Sequence, residues 1–220
     1  LYAISAHITV IQTITIVITG FSNNVFKFTK NIILTLFLQT YLEQDKTNLH
    51  FLHPMLILKM KEDIMHRIGL GYDIHKLTSG RDLIIGGVKI THEKGLLGHS
   101  DADVLIHAII DALLGALCLS DIGTLFPDTD DLYKDADSTI LLKNVFELIK
   151  EKGWKITNID SNIIAQRPKM MPYIPKMKEV LSKILECENI SIKAKTNEKM
   201  DAVGNELAIE AHAIALLEKV

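Results

Sequence analysis

Cysteine is scarce in this chain. Cys118 and Cys187 are the only two in 220 residues, which excludes a disulfide framework. Cys118 sits in an apolar stretch and is expected to be a core residue. Positive charge is not in excess either. The net charge is −3, and no basic stripe interleaves with aromatic residues, so a nucleic-acid partner is not expected. Arginine is missing before Arg67, and residues 1–26 contain no charged residue at all. Such a stretch, followed by Lys27 and Lys30 and then by a polar Gln39–Asn48 segment, reads as a targeting extension over residues 1–64. Its membrane contact would be confined to targeting. Glu43 and Asp45 run against that reading, and a single membrane span is the alternative. From residue 65 onward there is neither an internal repeat nor a low-complexity tract, and 65–220 is read as one domain.

Within that domain, helix-like and strand-like stretches alternate. Strands are predicted at Ile68–Tyr72, Trp154–Ile164 and Ile190–Lys195, and a hairpin or bulged strand over Asp82–Ile90 around Gly86-Gly87. Helices are predicted from Val104 to Leu119 with Ser100 or Asp101 as cap, and from Asp137 to Gly153 with Ile140, Leu141, Val145, Leu148 and Ile149 on one face. Two further helices are predicted at Pro172–Glu186 and, rich in alanine, at Asn205–Lys219. Asp121–Lys134 reads as loop. The expected class is α/β (α+β), a mixed sheet with helices packed against it.

The chemistry concentrates at Asp73-Ile-His75. Two residues apart on an extended segment, these side chains point to one face. His107, from the long helix, would add a third ligand, the number a catalytic zinc keeps when its fourth position stays open. An Asp-x-His pair is also common by chance, and a lone helical His commonly faces water. The helix argues for the metal: it lacks Lys and Glu, and its polar residues Asp103, His107 and Asp111 fall in one row at i, i+4 and i+8. The two carboxylates are expected to orient the imidazole between them.

Three other segments carry weaker signals. Asp121-Ile-Gly123 with Phe126-Pro-Asp128-Thr-Asp130 offers carboxylates for sugar hydroxyls and a glycine for close approach, or simply turn residues. Arg167-Pro168-Lys169-Met170-Met171-Pro172 leads into a helix where Lys169 and backbone N–H groups suit an anion, or forms an ordinary proline turn. Lys195-Thr196-Asn-Glu198 leaves a strand, and Glu198 suits a second, harder cation.

Taken in order, these motifs resemble the 2-C-methyl-D-erythritol 2,4-cyclodiphosphate synthase family: Gly-Leu-Gly-Tyr-Asp73-Ile-His75, Gly98-His99-Ser100-Asp-Ala-Asp103, His107, Asp121-Ile-Gly123, Phe126-Pro-Asp-Thr-Asp130, Ala165-Gln-Arg-Pro168-Lys169-Met170-Met171 and Lys195-Thr196-Asn-Glu198. The resemblance runs from about His66 to the C-terminus. It implies a homotrimer with active sites between subunits, acting on a cytidine-diphosphate substrate. The implied reaction is attack of a 2-phosphate on the β-phosphorus, which closes a cyclic diphosphate and expels CMP.

The resemblance also implies roles. Zn²⁺ sits on Asp73, His75 and His107, and Mg²⁺ or Mn²⁺ sits on Glu198. His99 and Thr196 stabilise the transition state. Ser100 and Phe126–Asp130 hold the methylerythritol phosphate end, with Asp121 and Gly123 near the sugar. Ala165–Met171 and Lys195–Thr196 form the cytidine pocket and phosphate clamp from the adjoining subunit. A plastid or plastid-like organelle is the implied home of a chain with such an extension. Ala202 and Asn205 depart from the family's usual Phe and Arg, so no phosphate contact is carried over to them; Asn cannot supply a guanidinium. Two other functions stay open: a zinc phosphohydrolase using the same Asp-His-His set with metal-bound water as attacking group, and a non-catalytic, membrane-tethered binding module suggested by the apolar amino-terminal stretch.

Overall fold

A computed structural model describes residues 65–127, 129–130, 133 and 135–220. Residues 1–64, expected from the sequence to be a targeting extension, and Asp128 lie outside the described residues. The elements run β1 (His66–Ser79), β2 (Leu83–Ile85), β3 (Val88–Ile90), β4 (Lys94–Leu97), α1 (Val104–Ala116), α2 (Ile122–Leu125), α3 (Ser138–Glu151), β5 (Trp154–Ile164), α4 (Ile174–Leu185), β6 (Ile190–Lys195), α5 (Asp201–Gly204) and β7 (Ala208–Lys219). Five strands form one sheet in the order β4-β1-β7-β5-β6. All its pairings are antiparallel except β5 with β6, which makes the sheet mixed, as expected.

One face of this sheet is covered by helices. Gly69, Gly71 and Leu77 of β1, Ile159, Ser161 and Ile163 of β5, and Ala211, Ala213, Ala215 and Leu217 of β7 are buried on that side. Helix α1 lies directly on it. All of its 13 residues are buried except Asp111 and Gly115, and each buried Leu or Ile contributes about 1.5–3 kcal/mol. The opposite face of β1 and β7 is open, with Ile68, Leu70, Tyr72, Ile74 and Ile214 exposed. Among the described residues, no helix is long and apolar enough to cross a membrane.

The largest departure from expectation is β7. Residues 205–219 are not an alanine-rich helix; Ala208–Lys219 is the middle strand, paired to β1 and β5. The period is two: Ile209, Ala211, Ala213 and Ala215 face inward while Glu210, His212 and Ile214 face outward. Alanine's helix propensity is a weak prior, and here its small size serves close packing beneath α1. β1 is also longer than Ile68–Tyr72, because pairing with β7 continues from His66 through Lys76 and so includes Asp73 and His75.

Smaller corrections follow from capping and packing. The cap of α1 is Asp103, not Ser100 or Asp101, with its Oδ1 accepting from Ile106 N at 3.0 Å. The helix ends at Ala116, so Cys118 lies beyond it and is exposed, with the Arg67 guanidinium 3.6 Å from its sulfur. Asp121 caps the one-turn α2 inside the segment expected to be loop. Ile140 is exposed, and α3 buries Leu141, Leu142, Val145, Phe146 and Ile149 instead. The Asp82–Ile90 stretch is a hairpin: Gly86 and Gly87, at φ 61° and 70°, form the two-residue turn between β2 and β3.

Candidate metal centre and surrounding loops

Asp73 and His75 stand on the helix-covered side of β1, with one residue between them. His107 points at them from the second turn of α1 and is 8% exposed. Asp73 Oδ2 lies 3.0 Å from His75 Nε2 and 2.9 Å from His107 Nδ1, and the two nitrogens are 3.1 Å apart. Among the described residues this is the one group of His, Cys, Asp and Glu side chains with convergent ligand atoms.

Tautomers follow from the other ring nitrogens. His75 Nδ1 is 2.9 Å from the Leu97 carbonyl oxygen, which can only accept, so Nδ1 carries the hydrogen and the Nε2 lone pair faces the centre. His107 Nε2 meets the hydroxyls of Ser138 at 3.0 Å and Ser100 at 3.2 Å, which leaves Nδ1 turned inward. Two imidazole lone pairs and a carboxylate oxygen thus converge on one point. Around a tetrahedral ion with bonds of about 2.0–2.1 Å, ligand atoms lie roughly 3.3 Å apart. The observed triangle needs to open by only a few tenths of an ångström, and the donor set fits such an ion.

Without a cation, a proton must take its place. Burial pushes the Asp73 carboxyl up, but hydrogen bonds from His107 and His75 outweigh it and hold the group well below the carboxylate range. Burial pushes His75 down, yet the Asp73 hydrogen bond and charge raise it overall. The site is built for positive charge.

The carboxylates flanking His107 do not orient it. Asp103 accepts from the N–H groups of Gly86, Gly87 and Ile106 and ties the β2–β3 turn to the start of α1. Burial pushes its carboxyl up to about 6. Asp111 accepts from Ile122 N at 2.8 Å and so anchors α2. Sequence reasoning missed Ser138, which is fully buried against His107. Standing beside the helix-capping Asp137, it gave no signal of that contact.

The other motif residues fall into two groups. Beside the metal centre, Ser100 spends its hydroxyl on His107 and on Ala102 N. His99, on the same loop, accepts at its carbonyl from Asp135 N and brings Nε2 to 3.4 Å from the Asp130 carbonyl. Asp121 and Gly123 are exposed on α2, whereas the Phe126 ring is buried edge-on against Tyr133.

The second group gathers at the ends of β5 and β6, joined by Ala165 N donating to the Lys195 carbonyl at 2.9 Å. Lys169, Met171, Lys195, Thr196 and Glu198 are exposed there, and Thr196 donates its hydroxyl to Glu198. Ala165 and Met170 are buried, and the Arg167–Pro168 peptide is cis. Between the groups stand β7 and the strand pairings on either side of it. At about 4.8 Å per strand, β1 and β6 are roughly 14 Å apart. Within one chain the two groups are not brought together.

Comparison with known proteins places this arrangement. The family model described as the YgbB family matches residues 66–218. A curated relative from Clostridioides difficile (strain 630), 2-C-methyl-D-erythritol 2,4-cyclodiphosphate synthase, is 61% identical over 153 residues, covering 69% of this chain and 95% of that protein. The protein of the same name from Geobacillus sp. (strain WCH70) is 57% identical over 157 residues, covering 70% of this chain and 99% of its own. A solved structure of IspF from Plasmodium falciparum in complex with CDP is 41% identical, with a TM-score of 0.62 over 70% of this chain and 96% of that one. With the described sheet, the helices above it and the Asp73–His75–His107 centre all inside the matched span, the chain belongs to the YgbB family.

Proposed function

We propose that residues 65–220 convert 4-diphosphocytidyl-2-C-methyl-D-erythritol 2-phosphate into 2-C-methyl-D-erythritol 2,4-cyclodiphosphate and CMP, a cyclising phosphorus–oxygen lyase step of non-mevalonate isoprenoid biosynthesis. The observation that carries this is the convergence of Asp73, His75 and His107 inside a domain that matches cyclodiphosphate synthases over almost their whole length. The nucleophile is a phosphate and is already anionic, so no residue need generate it. The protein's task is to bring two anions together and neutralise the crowded charge. Asp73, His75 and His107 would hold Zn²⁺, which when bound supplies Lewis acidity toward a phosphate oxygen. Glu198 would hold Mg²⁺ or Mn²⁺ at the diphosphate.

His99 donates to the developing charge on the metal side, and Thr196 does so on the cytidine side. Ser100, Phe126, Asp128 and Asp130 position the methylerythritol phosphate end, with Asp121 and Gly123 beside the sugar. Phe126 is buried, so its contribution there is through backbone. Ala165, Pro168, Lys169, Met170, Met171, Lys195 and Thr196 shape the cytidine pocket and its phosphate clamp. Since one chain keeps the two groups about three strands apart, the complete site is read as forming between subunits of a homotrimer. The open apolar face of β1 and β7 supports assembly. Residues 1–64 hold none of these site residues, and they are assigned as a targeting extension for a plastid-like organelle.

The deciding experiment incubates the purified chain with the cytidylylated substrate, Zn²⁺ and Mg²⁺, and identifies the products. Cyclic diphosphate and CMP in equal amounts are expected. An uncyclised phosphate would instead identify a phosphohydrolase.

A further inference from the structure

Resting on the reading of Asp73, His75 and His107 as metal ligands, we infer that Asp101 and Ser138 form a positioning pair that aims His107 at the metal. Asp101 grips Ser138 twice: Oδ2 accepts from the Ser138 backbone N–H at 3.1 Å, and Oδ1 accepts from its hydroxyl. The single hydroxyl hydrogen of Ser138 is therefore committed to Asp101. Toward His107 Nε2, 3.0 Å away, Ser138 Oγ has only lone pairs to offer. In the metal-binding form Nε2 carries the hydrogen, and Nδ1 is the bare nitrogen turned toward the ion beside Asp73 and His75. Hydrogen bonding to the outer nitrogen fixes the ring's tautomer and rotation together.

The placement supports this role. Ser138 is the first residue of α3 and is 0% exposed, while Asp101 belongs to the loop that enters α1. The loop is itself held, since Asp101 N donates to the Ala136 carbonyl at 3.1 Å and Asp101 Oδ1 accepts from Asp103 N at 3.2 Å. The pair therefore locks α3 to the approach of α1 at the point where the ligand imidazole needs a fixed orientation. Ser100 Oγ also reaches Nε2, at 3.2 Å, but it faces Ala102 N as well and has no carboxylate partner among its described contacts. Its hydrogen is not committed in the same way.

The test is Zn²⁺ affinity of the full chain by competition with a chromogenic chelator, on the parent, Ser138→Ala, Ser138→Thr and Asp101→Asn. Ser138→Ala is expected to lose roughly 10- to 100-fold in affinity, the usual effect of removing an outer partner of a ligand imidazole. Ser138→Thr keeps the hydroxyl and should stay within about threefold of the parent, and Asp101→Asn should fall between the two. Co²⁺ substitution gives a second readout: the visible absorption of the Ser138→Ala centre should shift, while that of Ser138→Thr should not. Parent-like affinity in Ser138→Ala would overturn the inference, as would an equal loss in Ser138→Thr, which would point to packing alone. If Ser138→Ala does not fold, Asp101→Asn decides, and parent-like affinity there overturns the pairing. A parent chain that binds no Zn²⁺ would instead sink the metal reading itself.

Discussion

At Gly71, a Cβ would lie 1.9 Å from the carbonyl oxygen of Ala108, so β1 and α1 meet backbone to backbone. Gly69 makes the same approach to Ala112 one turn further along the helix. This contact sets the distance from which His107, the neighbour of Ala108, reaches Asp73, two residues beyond Gly71. A side chain at position 71 must push the helix off the sheet, because neither backbone can yield. Gly71→Ala is expected to cost about 3 kcal/mol and to lower Zn²⁺ content together with Tm. Chemical denaturation and metal analysis of the same preparation check both.

Replacing either imidazole tests the centre directly. His75→Ala or His107→Ala should abolish cyclisation and leave bound Zn²⁺ well below one ion per chain, since two remaining ligands do not match three. Full metal content in both variants would remove the assignment.

Asp103 gives the stability a pH signature. Its carboxyl is pushed from an ordinary 3.8 up to about 6 by burial, against the opposing pull of the Gly86, Gly87 and Ile106 N–H groups. The folded chain therefore takes up this proton before the unfolded chain does. The resulting stabilisation is full below about pH 4 and is lost as pH rises through 6. Asp103→Asn removes the titration, but it also turns an NH₂ toward backbone donors, at a cost of about 1–3 kcal/mol. Urea midpoints of both chains between pH 4.5 and 7 should show the parent gaining on the variant as the solution is acidified.

The sequence is informative about these elements to unequal degrees. Trp154–Ile164 and Ile190–Lys195 were legible to the residue, because β-branched runs bounded by Gly153 and Asn189 leave little choice. The convergence of Asp73, His75 and His107 was legible too, since Asp73 and His75 share a strand face and α1 has no solvated side on which to waste His107. β7 was not. Alanine at 208, 211, 213 and 215 reads as helix unless it is known that a helix presses on that surface, and this is long-range information. The roles given to Asp103 and Asp111 failed similarly. Both carboxylates turn to backbone N–H groups of other segments, Gly86, Gly87 and Ile122, that no local spacing could supply.

Subunit mixing probes the proposed division of the site between chains. A His107→Ala chain mixed with a Thr196→Ala chain should regain part of the parent turnover, because one interface can then combine intact halves. No recovery, with subunit exchange demonstrated by mass spectrometry, would argue for a site complete within one chain.

The extension makes a separate claim. A chain beginning at Met65 should retain full turnover, and residues 1–64 fused to a fluorescent reporter should carry it to a plastid-like organelle. Fluorescence that stays in the cytosol would overturn the targeting assignment. Retention of the uncleaved fusion in membranes would favour an anchor.

Assembly through the side of the sheet left open among the described residues, as proposed, would make dilution a variable of the fold. With Ile68, Leu70, Ile74 and Ile214 facing outward, a solitary chain must keep an apolar strip in water, and any association that covers the strip stabilises the folded form by mass action. Apparent Tm should then climb with protein concentration rather than stay constant. Sparse chains, whether newly made or newly delivered, would occupy their least stable state until they meet others of their kind.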